Sequence, residues 1–155
     1  MKYYRIGVHT LVDLLYSPQC LLNNRKIDQK ITEEGNIVHF KLGYVGNEMF
    51  KRYYAAGDYL IEIVGTPDKI NTEEGCVEEL KTYRTDRTRE IQKEKGKLQL
   101  MFYSWLTGLS CAKLILYCTA DNKAETIYYR FSEKEINEVL EKALQKYIKL
   151  RELLK

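Results

Sequence analysis

The spacing of apolar residues changes several times along the chain, and each change marks an element. After a short strand or arm, Leu11, Leu14 and Leu15 recur at helical spacing behind Thr10, which is placed to cap a helix that Pro18 would break or restart. A second helix is expected within Ile31–Leu42; Gly35 weakens it, and Gly43 and Gly46 end it. From Phe50 to Tyr83 the runs FKRYYAA, DYLIEIVGTPDKI and CVEELKTYR are short, β-branched and aromatic, separated by Gly57-Asp58 and by NTEEG. They predict a three-stranded antiparallel meander.

A polar, basic stretch then leads into an apolar helix of about Lys97–Thr107, with Gly96 as a boundary or hinge and Gly108 as its C-cap. CAKLILYCT and AETIYYRF flank ADNK and predict two more strands joined by a tight polar turn, bringing the sheet to about five strands. Ser132 and Glu135 form a capping-box pattern ahead of Ile136, Val139, Leu140, Ala143, Leu144, Tyr147, Ile148 and Leu154, a long amphipathic helix. The order α-α-βββ-α-ββ-α implies an α/β fold, a mixed central sheet flanked by helices, in one domain over residues 1–155.

Composition narrows the class. Of 155 residues 45% are apolar, 30% are charged and only two are proline, which excludes disordered and collagen-like chains. The net charge of +3, from 25 basic and 22 acidic groups, permits a modest basic patch but no like-charged nucleic-acid-binding tail. No run of 18 apolar residues and no leader pattern is present, so no membrane partner and a cytoplasmic location are expected. Cys20, Cys76, Cys111 and Cys118 lack the two-residue spacing of a zinc or iron–sulfur grip and are expected to be four semi-buried thiols.

The chemistry concentrates in GTPDKINTEEGCVEELKTYR. Glu79 and Lys81 are two apart on a predicted strand and share a face. Asp68 ends the strand before it, so two carboxylates and an ammonium are placed to converge. Paired carboxylates repel, a divalent cation relieves the repulsion, and oxygen ligands favour Mg²⁺ or Mn²⁺. Such an ion acidifies water and neutralises charge on a phosphate, while Lys81 orients the attacking oxygen or stabilises the pentavalent phosphorus. A bare Glu-x-Lys is by itself an ordinary solvated ion pair. The ordered set carries more: Gly35-x-x-x-His39, Gly65-Thr-Pro-Asp68, Glu79-Leu-Lys81, then Gln99-x-x-x-Tyr103, whose last two residues share a helix face.

In these motifs, over roughly Ile31–Tyr103, the sequence resembles the PD-(D/E)XK nuclease superfamily and within it the RecB-like nucleases. LLYSPQCLLNN is also similar to the segment that opens the CRISPR-associated RecB-like exonucleases of the fourth Cas family. The resemblance implies a restriction-endonuclease-like core and a metal-dependent deoxyribonuclease of exonuclease type. It implies that His39, Asp68, Glu79 and the main-chain carbonyl of Leu80 bind the metal, that Lys81 is catalytic, and that Gln99 and Tyr103 position DNA or water. That CRISPR family holds an iron–sulfur cluster on one N-terminal and three C-terminal cysteines. Here only Cys20 is near the first position and the chain ends RELLK, so no cluster is expected.

Protein partners in a repair or CRISPR complex are compatible with this reading, as is a viral or plasmid setting. His9 competes with His39 for the histidine role; His39 is favoured by its Gly-x-x-x-His context. Arg84, Arg87, Arg89, Lys93, Lys95 and Lys97 follow the Glu-x-Lys strand and are candidates for gripping DNA phosphates, with Arg84, Arg87, Arg89 and Lys97 foremost. Tyr53, Tyr54, Tyr59, Tyr83, Phe102 and Trp105 are candidates for stacking on unpaired bases, although most belong in a core. The rival from another class is a non-catalytic DNA-binding scaffold subunit, which has no need of the whole acidic set and Lys81.

Overall fold

A computed structural model describes residues 1–16 and 29–154, with side chains described from Glu33 in the second stretch. Within these residues the order is β1 (Lys2–Gly7), α1 (Val8–Tyr16), α2 (Gln29–Lys41), β2 (Phe50–Ala56), β3 (Tyr59–Gly65), β4 (Lys69–Asn71), β5 (Cys76–Tyr83), α3 (Asp86–Thr107), β6 (Cys111–Cys118), β7 (Lys123–Arg130) and α4 (Glu133–Leu153). The strands form two sheets, ordered β1-β3-β2 and β4-β5-β6-β7, with parallel pairing at β1–β3 and β5–β6 and antiparallel pairing elsewhere. This is the mixed α/β architecture that the element order implied. No helix among the described residues is long and apolar enough to cross a membrane.

The predicted meander is corrected. β2 and β3 do form a hairpin, but β3 then pairs with β1, and β5 belongs to the other sheet with β4 and β6. The chain leaves the first sheet at Gly65-Thr66-Pro67, where a proline cannot donate a ladder hydrogen bond. Alternation along single strands does not reveal this split, because partners are chosen by tertiary packing.

Two helix boundaries also move. Thr10 lies inside α1, which starts at Val8, so it is not the cap; Pro18 lies outside the described residues. The third helix begins not near Lys97 but at Asp86, because Thr85 and Thr88 form a reciprocal cap at its N-terminus. Gly96 is therefore no hinge. It lies inside α3, where a Cβ would stand 2.5 Å from a Leu114 methyl and 3.3 Å from the Lys81 Cγ, so its bare backbone lets the helix lie close on β5 and β6. The remaining caps stand as expected: Gly108 ends α3 at φ 79, and Ser132 and Glu135 box the start of α4.

The core is one cluster. Ile61 and Ile63 of β3, Leu11 of α1, Leu100 of α3 and Leu114 and Leu116 of β6 are each 0% exposed, and Leu140, Ala143 and Leu144 of α4 close it. α3 contacts β5 and β6 and also β2 and β3, so a single helix bridges the two sheets. The expectation of four thiols is corrected as well: Cys76 and Cys111, directly opposite each other on β5 and β6, form a disulfide. Their Cα atoms are 4.6 Å apart, inside the span that a disulfide bridges. Cys118 is free and buried, and Cys20 lies outside the described residues.

Candidate active site

The β4–β5 hairpin sets the site. Its register pairs Lys69 with Glu78, so Asp68, one residue before β4, stands beside Glu79 on β5. The Asp68 amide donates to Glu79 Oε1 at 2.9 Å, and the Leu80 amide donates to Asp68 Oδ2 at 2.9 Å. Glu79 is 2% exposed. Burial, and next the charge of Asp68, push its carboxyl well above the usual range. Burial would push Asp68 the same way, but the hydrogen bond from His39 and the Leu80 amide outweigh it and lower its pKa. The surroundings thus push two adjacent carboxyls in opposite directions.

His39 reaches this pair from α2. One turn earlier Gly35 faces Thr82, whose hydroxyl oxygen would stand 3.2 Å from a Cβ there, so the missing side chain lets α2 approach β5. His39 Nδ1 donates to the Gly35 carbonyl at 2.8 Å, and Nε2 lies 2.7 Å from the Leu80 carbonyl and 3.3 Å from Asp68 Oδ2. Both nitrogens face oxygen acceptors, which describes an imidazolium. Burial alone would lower the His39 pKa; the contacts with Asp68, Gly35 and Leu80 reverse that and raise it.

The donor set fits a hard divalent ion in part. His39 Nε2 stands 2.7 Å from the Leu80 carbonyl oxygen and 3.3 Å from Asp68 Oδ2, so three donor atoms meet at one point. Neighbouring ligands of an octahedral ion, at about 2.1 Å from its centre, stand about 3 Å apart. Glu79 holds the Asp68 amide through Oε1, which leaves its second oxygen to join the set. No group of three His, Cys, Asp or Glu side chains among the described residues is arranged as a metal cluster.

Lys81 shares the Glu79 face of β5, beneath Gly96 of α3. Further along α3, Gln99 and Tyr103 are each 1% exposed. The Tyr103 ring packs where Gly65 leaves room, and its hydroxyl donates to the Thr66 carbonyl at 3.3 Å, two residues before Asp68. Burial, and then the charge of Glu79, push its pKa up. Gln99 does not reach the carboxylates: its Nε2 donates to His9 Nδ1 at 2.8 Å. The two histidines weighed for one role therefore occupy different places, His39 beside Asp68 and His9 beside Gln99. No spacing could reveal the second contact, which joins residues 90 apart.

Three of the basic candidates, Arg84, Arg89 and Lys97, are engaged elsewhere. Arg84 is forked onto Glu34 at 2.8 and 3.0 Å, and Arg89 is paired with Glu125 and Glu90. Arg87 is exposed near the start of α3. Arg89 lies seven residues from Gly96, about 10 Å along the helix from the level of Lys81. Lys97 turns away to the Tyr129 ring, 5.8 Å from its centroid. Lys95 sits over Tyr16. Among the aromatics, Tyr59 and Phe102 are buried, Trp105 is covered by Arg52 at 4.4 Å, and Tyr53 is exposed beside Tyr3. A residue that spacing did not single out is Tyr44, whose hydroxyl donates to Glu78 behind the hairpin at 2.9 Å.

No family model matches the sequence, and no curated protein matches it. The fold does have solved counterparts. The structure of SSO0001 superposes with a TM-score of 0.63 at 21% identity, covering 91% of this chain and 75% of that one. LHK-Exo in complex with dAMP superposes at 0.61 and 12% identity, covering 94% and 87%; LHK-Exo is described as an alkaline exonuclease from Laribacter hongkongensis. A phage-related exonuclease from Haemophilus somnus 129PT gives 0.50 at 13% identity, covering 94% and 83%. Identities this low speak for the fold alone: the chain has the restriction-endonuclease-like α/β fold that these exonucleases share.

Proposed function

We propose that the chain is a metal-dependent deoxyribonuclease of RecB-like exonuclease type, with its 155 residues acting as one catalytic domain on DNA. The observation that carries this reading is the interlock of Asp68, Glu79, Leu80 and His39, which brings two carboxylates, a main-chain carbonyl and an imidazole together at one point. A purely structural hairpin gains nothing from a buried carboxylate beside a second one.

In this reading His39 Nε2, the Asp68 and Glu79 carboxylates and the Leu80 carbonyl would hold Mg²⁺ or Mn²⁺, which when bound neutralises charge on the phosphate and acidifies water. Lys81 directs its ammonium toward the oxygen that attacks phosphorus in line and stabilises the charge that develops as the P–O bond to the leaving nucleotide breaks. Tyr103 fixes the Thr66–Asp68 turn through the Thr66 carbonyl, and so fixes where Asp68 stands. The likeness of the fold to exonucleases, one of them solved with dAMP, supports a DNA substrate. The opening segment and the motif order favour kinship with the CRISPR-associated exonucleases, without their iron–sulfur cluster; partners in a repair or CRISPR complex accord with it.

The test is cleavage of single- and double-stranded DNA with Mg²⁺ or Mn²⁺ added, and again in chelator. Cleavage that appears with the ion and disappears in chelator is expected, and wild-type cleavage by Glu79→Ala would overturn this site.

A further inference from the structure

The Gln99 side chain is buried to 1% exposure and donates to His9, while its Oε1 is buried with no partner among the described residues. Burying an amide oxygen in this way costs stability, and holding a histidine in one orientation is a role that accounts for the amide being there. The amide nitrogen can only donate, so His9 Nδ1 accepts and the ring hydrogen sits on Nε2. His9 itself is exposed, on the first turn of α1, and its ring lies within range of the charges of Lys81 and Asp68.

We infer that His9 is a substrate-contacting residue separate from the metal-proximal His39, and that its Nε2–H, aimed by Gln99, donates a hydrogen bond to a phosphate of the bound DNA strand beside Lys81. The inference rests on the nuclease reading and deepens it. The ligand class follows from the neighbours: Lys81 packs under Gly96, one turn of α3 before the Gln99 that holds His9, an N–H donor and an ammonium on one side suit an anionic oxygen, and the Asp68 carboxylate is already engaged by His39 and the Leu80 amide. Because Nδ1 accepts from Gln99, the ring is neutral and serves as a neutral donor; desolvation, then the nearby Lys81, push its pKa down in the same sense, against Asp13 and Asp68. A neutral donor displaces no counterion, which separates its contribution from that of an arginine or lysine.

The experiment uses the full chain, with His9→Leu and His9→Asn, on DNA oligonucleotides in which one phosphate at a time is replaced by an uncharged methylphosphonate. His9→Leu should lower kcat/KM by about 10- to 100-fold, the scale of a hydrogen bond to a charged group. The Mn²⁺ concentration for half-maximal rate and the salt dependence should not move. One methylphosphonate position should slow wild type and leave His9→Leu unaffected, and His9→Asn, which keeps an N–H donor, should recover part of the loss. Wild-type kcat/KM in folded His9→Leu overturns the inference, as does sensitivity to every phosphate equal to that of wild type. A changed Mn²⁺ requirement also overturns it, by assigning His9 to the ion. Wild type that cleaves no DNA under any ion overturns the nuclease reading itself, a result distinct from these.

Discussion

Asp68 and Glu79 are joined through the backbone: the Asp68 amide donates to the Glu79 carboxylate at 2.9 Å, while the Asp68 carboxylate accepts the Leu80 amide at 2.9 Å. Their relative position is therefore set by the β4–β5 register, and the two acids are held together before any ligand arrives.

In the nuclease reading, Asp68→Ala, Glu79→Ala and Lys81→Ala should each lower the cleavage rate by at least about a hundredfold, the scale of removing one preorganised electrostatic contact. Circular dichroism should show each variant folded. Arg87→Ala, by contrast, should stay near wild type, because Arg87 lies on the first turn of α3, away from the site.

Glu79→Gln should make the metal-free protein more stable at pH 8 while abolishing cleavage. A carboxyl whose folded pKa is raised favours the fold below its ordinary value and opposes it as pH rises beyond. Glutamine keeps an oxygen for the Asp68 amide and removes the buried charge. Melting curves in chelator decide it: Tm should rise at pH 8, with a smaller difference near pH 4.

On the outer face of the first sheet, the Tyr3 hydroxyl donates to Glu62, which also pairs with Arg5. The tyrosine pKa is pushed up to about 12, chiefly by that hydrogen bond, and Glu62 is lowered by it. The tyrosine's contribution is present below about pH 10 and is lost as pH rises toward 12. The glutamate's contribution is present above the ordinary carboxylate range and lost as pH falls through its depressed value. Tyr3→Phe should flatten both limbs of the stability profile, read by urea unfolding across pH.

Gly46 packs against the turn that carries Asp68. A Cβ there would press into the Pro67 carbonyl oxygen and stand 2.8 Å from the Thr66 side chain. Because backbone must give way, Gly46→Ala should cost about 1–3 kcal/mol of stability, and cleavage should fall with it as Asp68 is displaced. An alanine variant with unchanged denaturation midpoint and rate would show that the turn yields freely.

Protein purified without oxygen should be colourless and free of iron. A cubane cluster takes four protein ligands; Cys76 and Cys111 are bonded to each other, and Cys118 is buried. Stoichiometric iron with a visible absorption band would overturn this.

Several parts of the fold were legible because their signals are local. Gly108 and the Ser132–Glu135 box stop and start helices through their own backbone geometry, and the ADNK turn closes β6 and β7 as read. Glu79 and Lys81 share a face because a strand alternates. The start of α3 was missed because threonine capping a threonine, ahead of a polar first half, leaves little apolar periodicity to read.

What could be read without the fold was most of the helices and strands, the order of the motifs and the residue types in them: a histidine after a glycine, two acids, a lysine, and an amide and a phenol one helical turn apart. Only the tertiary structure decided that β3 and β5 part into different sheets, that Arg84 and Arg89 turn to Glu34 and Glu125, that Cys76 meets Cys111, and that Gln99 holds His9 while His39 closes on Leu80. Those contacts join residues from 35 to 90 positions apart. Local propensity and strand alternation act over a few residues, whereas the choice among distant partners is made by packing the whole core at once.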